Sequence, residues 1–395
     1  MSTQQPFKSG RHFLQIPGPS NVPDRVLRAM AKPTVDHRGP EFAELSLSIL
    51  DRIKKVFVTQ QPVLMFPSSG TGAWEASLVN TMSPGDRVLA FETGQFATGW
   101  KNLANKLGLE VMWIEGDWRH GVDPNVVESK LSADSGHSIK VVLVVHNETS
   151  TGITNDIPAV RRAIDAANHP ALLMADGISS IGSIEYRHDD WGVDVAICCS
   201  QKGLMLPPGL GINAVSEKAL EVSKTSGFAK SYWDWAAVLN MNERGFFPYT
   251  PPTNLLYGLD VALDMLLEEG MENIYARHFR LAEATRKAVD AWGLENCCLN
   301  PNEYSDTLTA VWMPDGFDAD ELRKLILNRF DMSLGTGLGK VKGRVFRIGH
   351  LGDLNDLTLA GTLAGVEMGL KLAGVPFNAG GVNAALDYLT STVTS

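Results

Sequence analysis

From residue 62 to about residue 215, the sequence alternates short apolar, β-rich runs with amphipathic stretches, and no other feature constrains the fold as strongly. The candidate strands are nearly continuous hydrophobic runs, as expected of strands covered on both faces: Val63–Phe66, Arg87–Phe91, Val111–Ile114, Lys140–Val145, Ala171–Ala175, Val193–Cys198 and Gly211–Val215. Helical patterns separate several of them: Gly72–Met82, Asp123–Leu131 and Asp156–Asn168. This alternation predicts a large α/β/α domain with a mostly parallel sheet.

The pattern changes beyond about residue 250, where longer helices are followed by a mixed segment. The expected elements there are helices at Asn254–Glu269, Glu272–Trp292, Ala319–Arg329 and Leu354–Leu372, and strands near Thr307–Trp312 and Val345–Ile348. We therefore expect a large domain at residues 21–285 and a smaller C-terminal α/β domain at residues 286–395. Residues 1–20 are irregular and proline-rich, and we expect them to form an arm across another surface.

The composition of the chain indicates which partners it can bind and in which compartment it can reside. The chain has 395 residues and a formal net charge of -10, which argues against a nucleic-acid binder. Its four cysteines form two adjacent pairs, with neither CxxC spacing nor a zinc-type histidine pattern, so no metal site is expected. The sequence contains no window of eighteen uninterrupted apolar residues, so we expect no membrane span. We expect a reduced, soluble, cytoplasmic protein.

The segment Ser200-Gln201-Lys202-Gly203 directly follows a strand of the buried type. Lysine is usually a solvated surface residue, but Lys202 lies at a strand end among glycine, proline and apolar neighbours. Burial there favours the neutral amine, which suits a nucleophile that forms a Schiff base. Lys202 is therefore a candidate catalytic residue.

Asp176 follows the apolar run 171–175 and allows two interpretations. An aspartate at this place commonly caps a helix or a turn. It can equally place a carboxylate at the C-terminal edge of the sheet, where open α/β folds bind ligands. A pyridinium nitrogen would need such a partner to keep its proton. The position of Asp176 alone does not separate the two interpretations.

The segment Ser68-Ser69-Gly70-Thr71-Gly72 joins a predicted strand to a predicted helix. Glycine lets the backbone approach a phosphate closely, and a helix N-terminus offers N–H groups and a positive dipole end. An ordinary capped helix start would explain the serines and the threonine equally well. The segment is not a nucleotide P-loop, because GxxxxGK[ST] is absent.

Three further positions combine polar or aromatic side chains with β-rich runs. His146-Asn147-Glu148-Thr149 follows the most β-rich run in the chain, which indicates either a site or a turn network. Phe96 could stack on a planar ring, although an isolated phenylalanine is more often part of a core. Arg347 lies inside the strand-like Val345–Ile348, so it must be paired or face a polar cleft, where a carboxylate could bind it in bidentate fashion.

In chain order, the strand ends thus supply a phosphate cradle, an aromatic ring, a hydroxyl cluster, an aspartate and a lysine. This set closely resembles the pyridoxal-phosphate enzymes of the aspartate aminotransferase fold. Within them it resembles the class V aminotransferases of the serine–glyoxylate and alanine–glyoxylate branch. The resemblance runs from residues 17–23 to residues 346–352, and its most specific parts are Gly70-Thr71-Gly72-Ala73-Trp74-Glu75, His146-Asn147-Glu148-Thr149, Ser200-Gln201-Lys202 and Pro248-Tyr249-Thr250-Pro251.

The resemblance implies pyridoxal 5'-phosphate as the cofactor and gives the residues their roles. Lys202 would hold the cofactor as a Schiff base and then move the α-proton as general acid and base. Asp176 would pair with the pyridine nitrogen. The other implied cofactor contacts are Gly70, Thr71 and Gln201 at the phosphate with Ser69 beside them, Phe96 on the ring where relatives often carry tryptophan, Thr149 at the 3-hydroxyl, and Tyr249 and Thr250 from a partner subunit.

The resemblance also implies how substrates and subunits meet. Arg347 would bind the α-carboxylate of an amino acid or 2-oxo acid substrate. His37 and Arg38 match an entrance segment that reaches the neighbouring active site in relatives that use serine. A site completed by a neighbouring subunit requires a homodimer or a higher homo-oligomer.

For the reaction, the resemblance favours transfer of the amino group of serine to glyoxylate, which gives hydroxypyruvate and glycine. Alanine differs from serine by one hydroxyl and stays open as the amino donor. A cysteine desulfurase of the same fold would have a histidine before the lysine and a mobile cysteine well after it, whereas Gln201 precedes Lys202 and residues 331–337 contain no cysteine. A non-catalytic copy of the fold would usually have lost Lys202 or Asp176, and both are present.

Overall fold

The structure, a computed structural model, describes residues 9–393. Residues 1–8 of the predicted arm, and residues 394–395, lie outside this range. The α-helices of the described chain are α1 (Asp24–Met30), α2 (Pro40–Phe57), α3 (Gly70–Thr81), α4 (Gln95–Lys106), α5 (Pro124–Ala133), α6 (Ile157–Ala166), α7 (Glu217–Ser223), α8 (Trp235–Asn242), α9 (Thr253–Glu269), α10 (Met271–Trp292), α11 (Ala319–Phe330), α12 (Asp356–Leu372) and α13 (Gly381–Ser391).

The longer strands alternate with these helices up to residue 176, as the sequence predicts, whereas no α-helix lies between residues 176 and 217. In chain order the strands are β1 (Phe13–Gln15), β2 (Val63–Ser68), β3 (Arg87–Phe91), β4 (Glu110–Ile114), β5 (Ile139–Val145), β6 (Asn147–Glu148), β7 (Ile153–Thr154), β8 (Leu172–Asp176), β9 (Val195–Cys199), β10 (Gly209–Val215), β11 (Glu295–Asn296), β12 (Leu308–Trp312), β13 (Met332–Thr336) and β14 (Val345–Gly349). Each strand expected from the apolar runs is present, with ends that differ by two residues or fewer.

A seven-stranded sheet forms the centre of the large α/β/α layer, in the order β2-β10-β9-β8-β5-β3-β4. The neighbours from β9 to β4 run parallel. Only β10 is reversed, because it pairs antiparallel with both β9 and β2. The expected mostly parallel sheet is confirmed, and its parallel strands bring their carboxyl ends to one edge.

Apolar side chains cover both faces of this sheet. In β8, Leu173 and Ala175 join one core cluster, whereas Leu172 and Met174 join the cluster on the opposite face. Side chains alternate along a strand, so a strand with helices on both faces must be apolar at every position. This explains why the sequence shows continuous runs in place of an apolar–polar alternation.

A second, five-stranded sheet has the order β1-β13-β14-β12-β11 and packs against α10, α11, α12 and α13. Its outer strand β1 belongs to the segment expected to be an arm, and Phe13 pairs with Met332 in a parallel register. The arm therefore contributes one strand to this sheet before it reaches the larger one. The domain boundaries at residues 20 and 285 remain predictions. Among residues 9–393, no helix is long and apolar enough to cross a membrane.

Candidate active site

A cavity of about 180 Å³ lies where β5, β8 and β9 end and α3 begins. It contains eight of the site residues that the sequence suggested: Ser69, Gly70, Thr71, Phe96, Thr149, Asp176, Gln201 and Lys202. It is also lined by residues for which the sequence predicts no role: Gly18, Pro19, Trp74, Val145, Asn147, Ile178, Ser179 and Cys199. The cavity therefore occupies the edge of the sheet at which open α/β folds bind ligands.

Lys202 projects into this cavity from the loop after β9 and is only 8% exposed. Its Nζ donates a hydrogen bond of 2.5 Å to the carbonyl oxygen of Pro17. Burial lowers the pKa of Lys202 to about 8, and the charge of Arg347 acts in the same direction. A larger fraction of the amine is therefore neutral near pH 7 than in a solvated lysine, which favours nucleophilic attack.

The residues that cover Lys202 come from the beginning of the chain. Gly18 has a φ of +113°, and a Cβ atom on it would lie 2.2 Å from Nζ of Lys202. Ser20 binds the same loop, because its hydroxyl donates to the carbonyl oxygen of Lys202 at 2.8 Å. Glycine is therefore favoured at position 18 by its backbone conformation, and a larger residue there would also displace the Lys202 side chain.

Asp176 ends β8 and is 3% exposed. Its Oδ1 accepts the backbone N–H of Ile178 at 2.8 Å, and its Oδ2 accepts the indole N–H of Trp74 at 2.9 Å. Burial raises the pKa of Asp176 to about 7, while the two donors and the charge of Lys202 oppose the rise. Asp176 therefore closes a turn and also lies at the cavity, at the carboxyl end of its strand.

The N-terminus of α3 forms one wall of the cavity. Ser69 occupies the cap position, but its side chain makes no capping hydrogen bond to the helix. An ordinary side-chain cap is therefore not the role of this serine. A Cβ atom on Gly70 would lie 2.4 Å from Cδ1 of Ile178, so glycine permits the close approach of α3 to the turn after Asp176. The positive end of the helix dipole faces the cavity and suits an anionic group there.

Phe96 lies in the first turn of α4, and Glu148 fixes this turn to the strand end that carries Thr149. The fully buried carboxylate of Glu148 accepts the backbone N–H groups of Phe96 at 3.1 Å and Ala97 at 3.0 Å. It also accepts the hydroxyl of Ser150 at 2.6 Å. Burial raises the pKa of Glu148, whereas these donors and the helix N-terminus favour its ionised form. Glu148 thereby holds Phe96 beside the cavity.

Replacing Glu148 by glutamine is expected to lower the free energy of unfolding by about 2–4 kcal/mol. The amide NH₂ would face N–H and O–H donors and leave some of them unpaired. Urea unfolding near pH 7 measures the change, with Glu128→Gln as the control because Glu128 is exposed. The control should stay within about 0.5 kcal/mol of the parent. Equal stabilities of the two variants would contradict the anchoring role of Glu148.

A chain of buried hydroxyl and amide groups lies behind Thr149. The Thr149 hydroxyl donates to Oγ of Ser179 at 2.7 Å, and Ser179 in turn donates to the carbonyl oxygen of Asn147 at 2.9 Å. The Asn147 amide donates to Oγ1 of Thr307 at 2.9 Å, which links this network to the smaller sheet. The polar cluster after β5 thus forms a turn network and also lines the site.

Arg347 lies on β14 of the smaller sheet and is 7% exposed. Its Nη1 donates to the carbonyl oxygen of Thr149 at 2.7 Å, and its Nε donates to that of Thr336 at 2.8 Å. Burial lowers the pKa of Arg347 to about 10, so the guanidinium stays charged near neutral pH. These two backbone contacts orient a cation beside the Thr149 wall of the cavity.

Five suggested residues are not among those that line the cavity of their own chain: Arg347, which lies behind Thr149, and Tyr249, Thr250, His37 and Arg38. Tyr249 donates its hydroxyl to the carbonyl oxygen of Met65 and packs on Tyr232, while Thr250 is exposed. Arg38 is exposed too, and His37 is partly buried with an Nε2 atom that has no partner within residues 9–393. The proposed contacts of Tyr249, Thr250, His37 and Arg38 with a neighbouring subunit remain predictions.

Trp74 and Ser179 are the most important residues that sequence reasoning missed as site residues. The sequence marks Trp74 only as part of the motif that starts at Gly70, and Ser179 lies just after Asp176. The only sequence feature that could have identified either of them as a site residue is its closeness in the chain to the end of a predicted strand. Within residues 9–393, no group of three or more His, Cys, Asp or Glu side chains is placed to hold a metal ion.

The arrangement combines an amine of lowered pKa, a buried carboxylate, an aromatic ring and a helix N-terminus around one cavity. A planar aromatic ligand with a basic ring nitrogen, an anionic substituent and a carbonyl group for the amine would satisfy all four features. A family model described as aminotransferase class V matches residues 12–339. The chain therefore belongs to the class V aminotransferase family.

The chain is also similar over nearly its whole length to individual aminotransferases. Serine–glyoxylate aminotransferases of Methylorubrum extorquens and Arabidopsis thaliana are each 51% identical, and the matches cover 97% of this chain and 97% and 96% of theirs. An L-aspartate–glyoxylate aminotransferase of Paracoccus denitrificans is 47% identical over 96% of both chains. The structure of pyridoxamine–pyruvate aminotransferase from Mesorhizobium loti matches with a TM-score of 0.90 and 29% identity, over 98% of both chains.

Proposed function

We propose that this chain is a pyridoxal-phosphate-dependent serine–glyoxylate aminotransferase. The observation that carries the proposal is the meeting of Lys202, Asp176 and the α3 N-terminus in one cavity of a class V aminotransferase. Serine as the amino donor is supported by the two relatives at 51% identity that are named for this reaction. These two relatives are named for serine and not for alanine, so alanine has less support as the main donor.

The residues of the cavity fit pyridoxal phosphate by their chemistry. Lys202 supplies an amine for the cofactor's aldehyde, and Asp176 supplies a carboxylate for its ring nitrogen. Ser69, Gly70, Thr71 and Gln201 would hold the phosphate at the α3 N-terminus, Phe96 would contact the ring, and Thr149 would face the 3-hydroxyl. When bound, the cofactor supplies a carbonyl that takes up the amino group and a ring that withdraws electrons from the substrate Cα.

The chain's own groups then bind the substrate and move the proton. Arg347 binds the α-carboxylate of serine or glyoxylate, which fixes the Cα atom relative to Lys202. The amine of Lys202 takes the proton from Cα as a general base and returns one as a general acid, for which a pKa near 8 is suitable. The Pro17 carbonyl is an acceptor for this amine when it is free.

Comparison of amino donors tests the substrate assignment. With glyoxylate as acceptor, we expect kcat/KM for serine to exceed that for alanine by roughly tenfold or more, since a site that hydrogen-bonds a hydroxyl discriminates against its absence. Aspartate, the donor named for the relative at 47% identity, is the second comparison. Faster turnover of alanine or aspartate would reject serine as the main donor and leave the aminotransferase class intact.

We further propose a homodimer or a higher homo-oligomer in the cytoplasm. Tyr249, Thr250, His37 and Arg38 lie away from the cavity of their own chain, so a neighbouring subunit is needed if they contribute to a site. All four cysteines are buried and free, which supports a reducing compartment. Sedimentation analysis tests the assembly, and a stable monomer with full activity would contradict a shared site.

A further inference from the structure

The carboxylate of Asp176 depends on one side chain that comes from another element. Within residues 9–393, its side-chain donor is the indole N–H of Trp74, at 2.9 Å from Oδ2. The other oxygen accepts the backbone N–H of Ile178, which belongs to the turn after β8 itself. Trp74 is therefore the contact that ties the orientation of this carboxylate to α3.

Trp74 also connects the three elements that surround the proposed cofactor. It lies in the second turn of α3, whose N-terminus forms the anion-binding wall, and it is 5% exposed. Its ring stacks on Trp100 of α4, with centroids 5.9 Å apart and an interplanar angle of 11°. Trp74 therefore links α3, to which it belongs, with β8 through Asp176 and with α4 through Trp100. Phe96 lies on the same helix α4.

The indole N–H affects the charge of Asp176 as well as its orientation. Burial disfavours the ionised carboxylate, and the nearby charge of Glu148 adds to this effect, whereas Lys202 opposes it. A hydrogen-bond donor stabilises the charged form of a buried carboxylate. If the donor is removed, no water takes its place and the carboxylate stays unpaired. A ring nitrogen keeps its proton only if its partner is ionised.

We propose that Trp74 is a positioning residue for Asp176, whose indole N–H keeps the carboxylate ionised and oriented toward the ring nitrogen of the cofactor. This inference rests on the proposed function, because it concerns the same cavity and the same cofactor. It assigns no contact with substrate to Trp74. The residue acts through Asp176.

The chain offers a matched control for this proposal. Trp100 is buried and stacked on Trp74, but its Nε1 has no hydrogen-bond partner within residues 9–393. Trp74→Phe and Trp100→Phe therefore remove the same number of atoms from the same stack, and only Trp74→Phe removes a hydrogen bond. Replacement of either tryptophan by 3-benzothienylalanine keeps the bicyclic shape, lacks the N–H, and serves if a phenylalanine variant does not fold.

The first measurement is the affinity of the cofactor-stripped protein for pyridoxal phosphate, followed by absorbance and fluorescence as a function of pH. For Trp74→Phe we expect a dissociation constant roughly ten- to hundredfold higher than that of the parent. The pH below which affinity falls should move upward, because Asp176 loses a donor that favours its ionised form. Trp100→Phe should stay within about twofold of the parent and keep its pH midpoint.

Each outcome is decisive for the role of Trp74. Equal effects of the two substitutions on affinity would mean that ring packing matters and the N–H does not, which overturns the proposal. An unchanged pH midpoint in Trp74→Phe, or in the benzothienylalanine variant, would also overturn it. If the parent protein binds no pyridoxal phosphate, the proposed function fails first, and this result is distinguishable from a failure of Trp74 alone.

Discussion

Replacing Lys202 by alanine is expected to abolish transamination, with kcat lowered by about a thousandfold or more. The substitution removes both the amine that attaches the cofactor and the group that moves the Cα proton. Lys202 is buried in the loop after β9, and the structure places no other lysine among the residues of the cavity in the part of the chain that it describes. Steady-state assay of serine with glyoxylate measures the loss.

Two controls make the Lys202 result interpretable. Lys106→Ala removes an exposed lysine at the end of α4 and should leave kcat within about twofold of the parent. Added methylamine tests the proton-transfer role, because a small amine in the vacated space can replace part of the missing base. If Lys202→Ala retained a tenth or more of the parent kcat, the proposed role of Lys202 would be wrong.

Replacing Arg347 by alanine is expected to raise KM for both serine and glyoxylate by roughly a hundredfold, because both substrates carry the carboxylate that the guanidinium would bind. A hydrogen bond to a charged group contributes about 1.5–3 kcal/mol of binding free energy. We expect the loss of a bidentate pair to cost an amount at the upper end of this range or above it. Arg347→Lys should recover only part of the loss, since an ammonium group cannot reproduce the planar fork. Initial rates over a matrix of both substrates give the two KM values.

Arg344→Ala is the matched control for Arg347. It removes an exposed arginine three residues earlier, which is paired with Asp315 at 2.8 Å. Both KM values should stay within about twofold of the parent. If Arg347→Ala changed kcat and left both KM values unchanged, Arg347 would not bind the substrate carboxylate, and its contacts with Thr149 and Thr336 would be its whole role.

The positions of Lys202 and Asp176 can be predicted from the sequence because strand ends follow from local pattern. A continuous apolar run indicates a strand covered on both faces, and its end in a parallel sheet lies at the ligand-binding edge. The helix start at Gly70 follows from the same logic. The local pattern therefore places each of these three residues at the end of a strand or the start of a helix, and the resemblance to the aminotransferase family assigns them to one site.

The contacts that complete the site join distant parts of the chain and leave no local pattern. The Trp74–Asp176 hydrogen bond spans 102 residues, and the Lys202–Pro17 bond spans 185. The pairing of β1 with β13 has the same character, because a three-residue strand forms only where a sheet edge is available. Such contacts depend on tertiary packing, which periodicity does not describe.

The polar residues after β5 show a second limit of sequence reasoning. The motif that contains Glu148 stands out in the sequence, but an acidic residue after a strand indicates neither a helix anchor nor a ligand. Its role depends on the N–H groups of Phe96 and Ala97 at its carboxylate, which lie about fifty residues earlier in the chain. Tyr249 and Thr250 are a different case, because only the resemblance assigns them to the site of a neighbouring subunit and no local pattern marks a residue that contacts another subunit.

Borohydride reduction of the pyridoxal-phosphate-loaded enzyme, followed by peptide mapping with mass spectrometry, tests most directly whether Lys202 carries the cofactor. Reduction makes a lysine–cofactor linkage permanent and removes the visible absorbance band. The expected result is loss of that band with one phosphopyridoxyl-modified peptide, which contains Lys202. A band that survives reduction, or a stoichiometric label on another lysine, would contradict the assignment of this cavity as the active site.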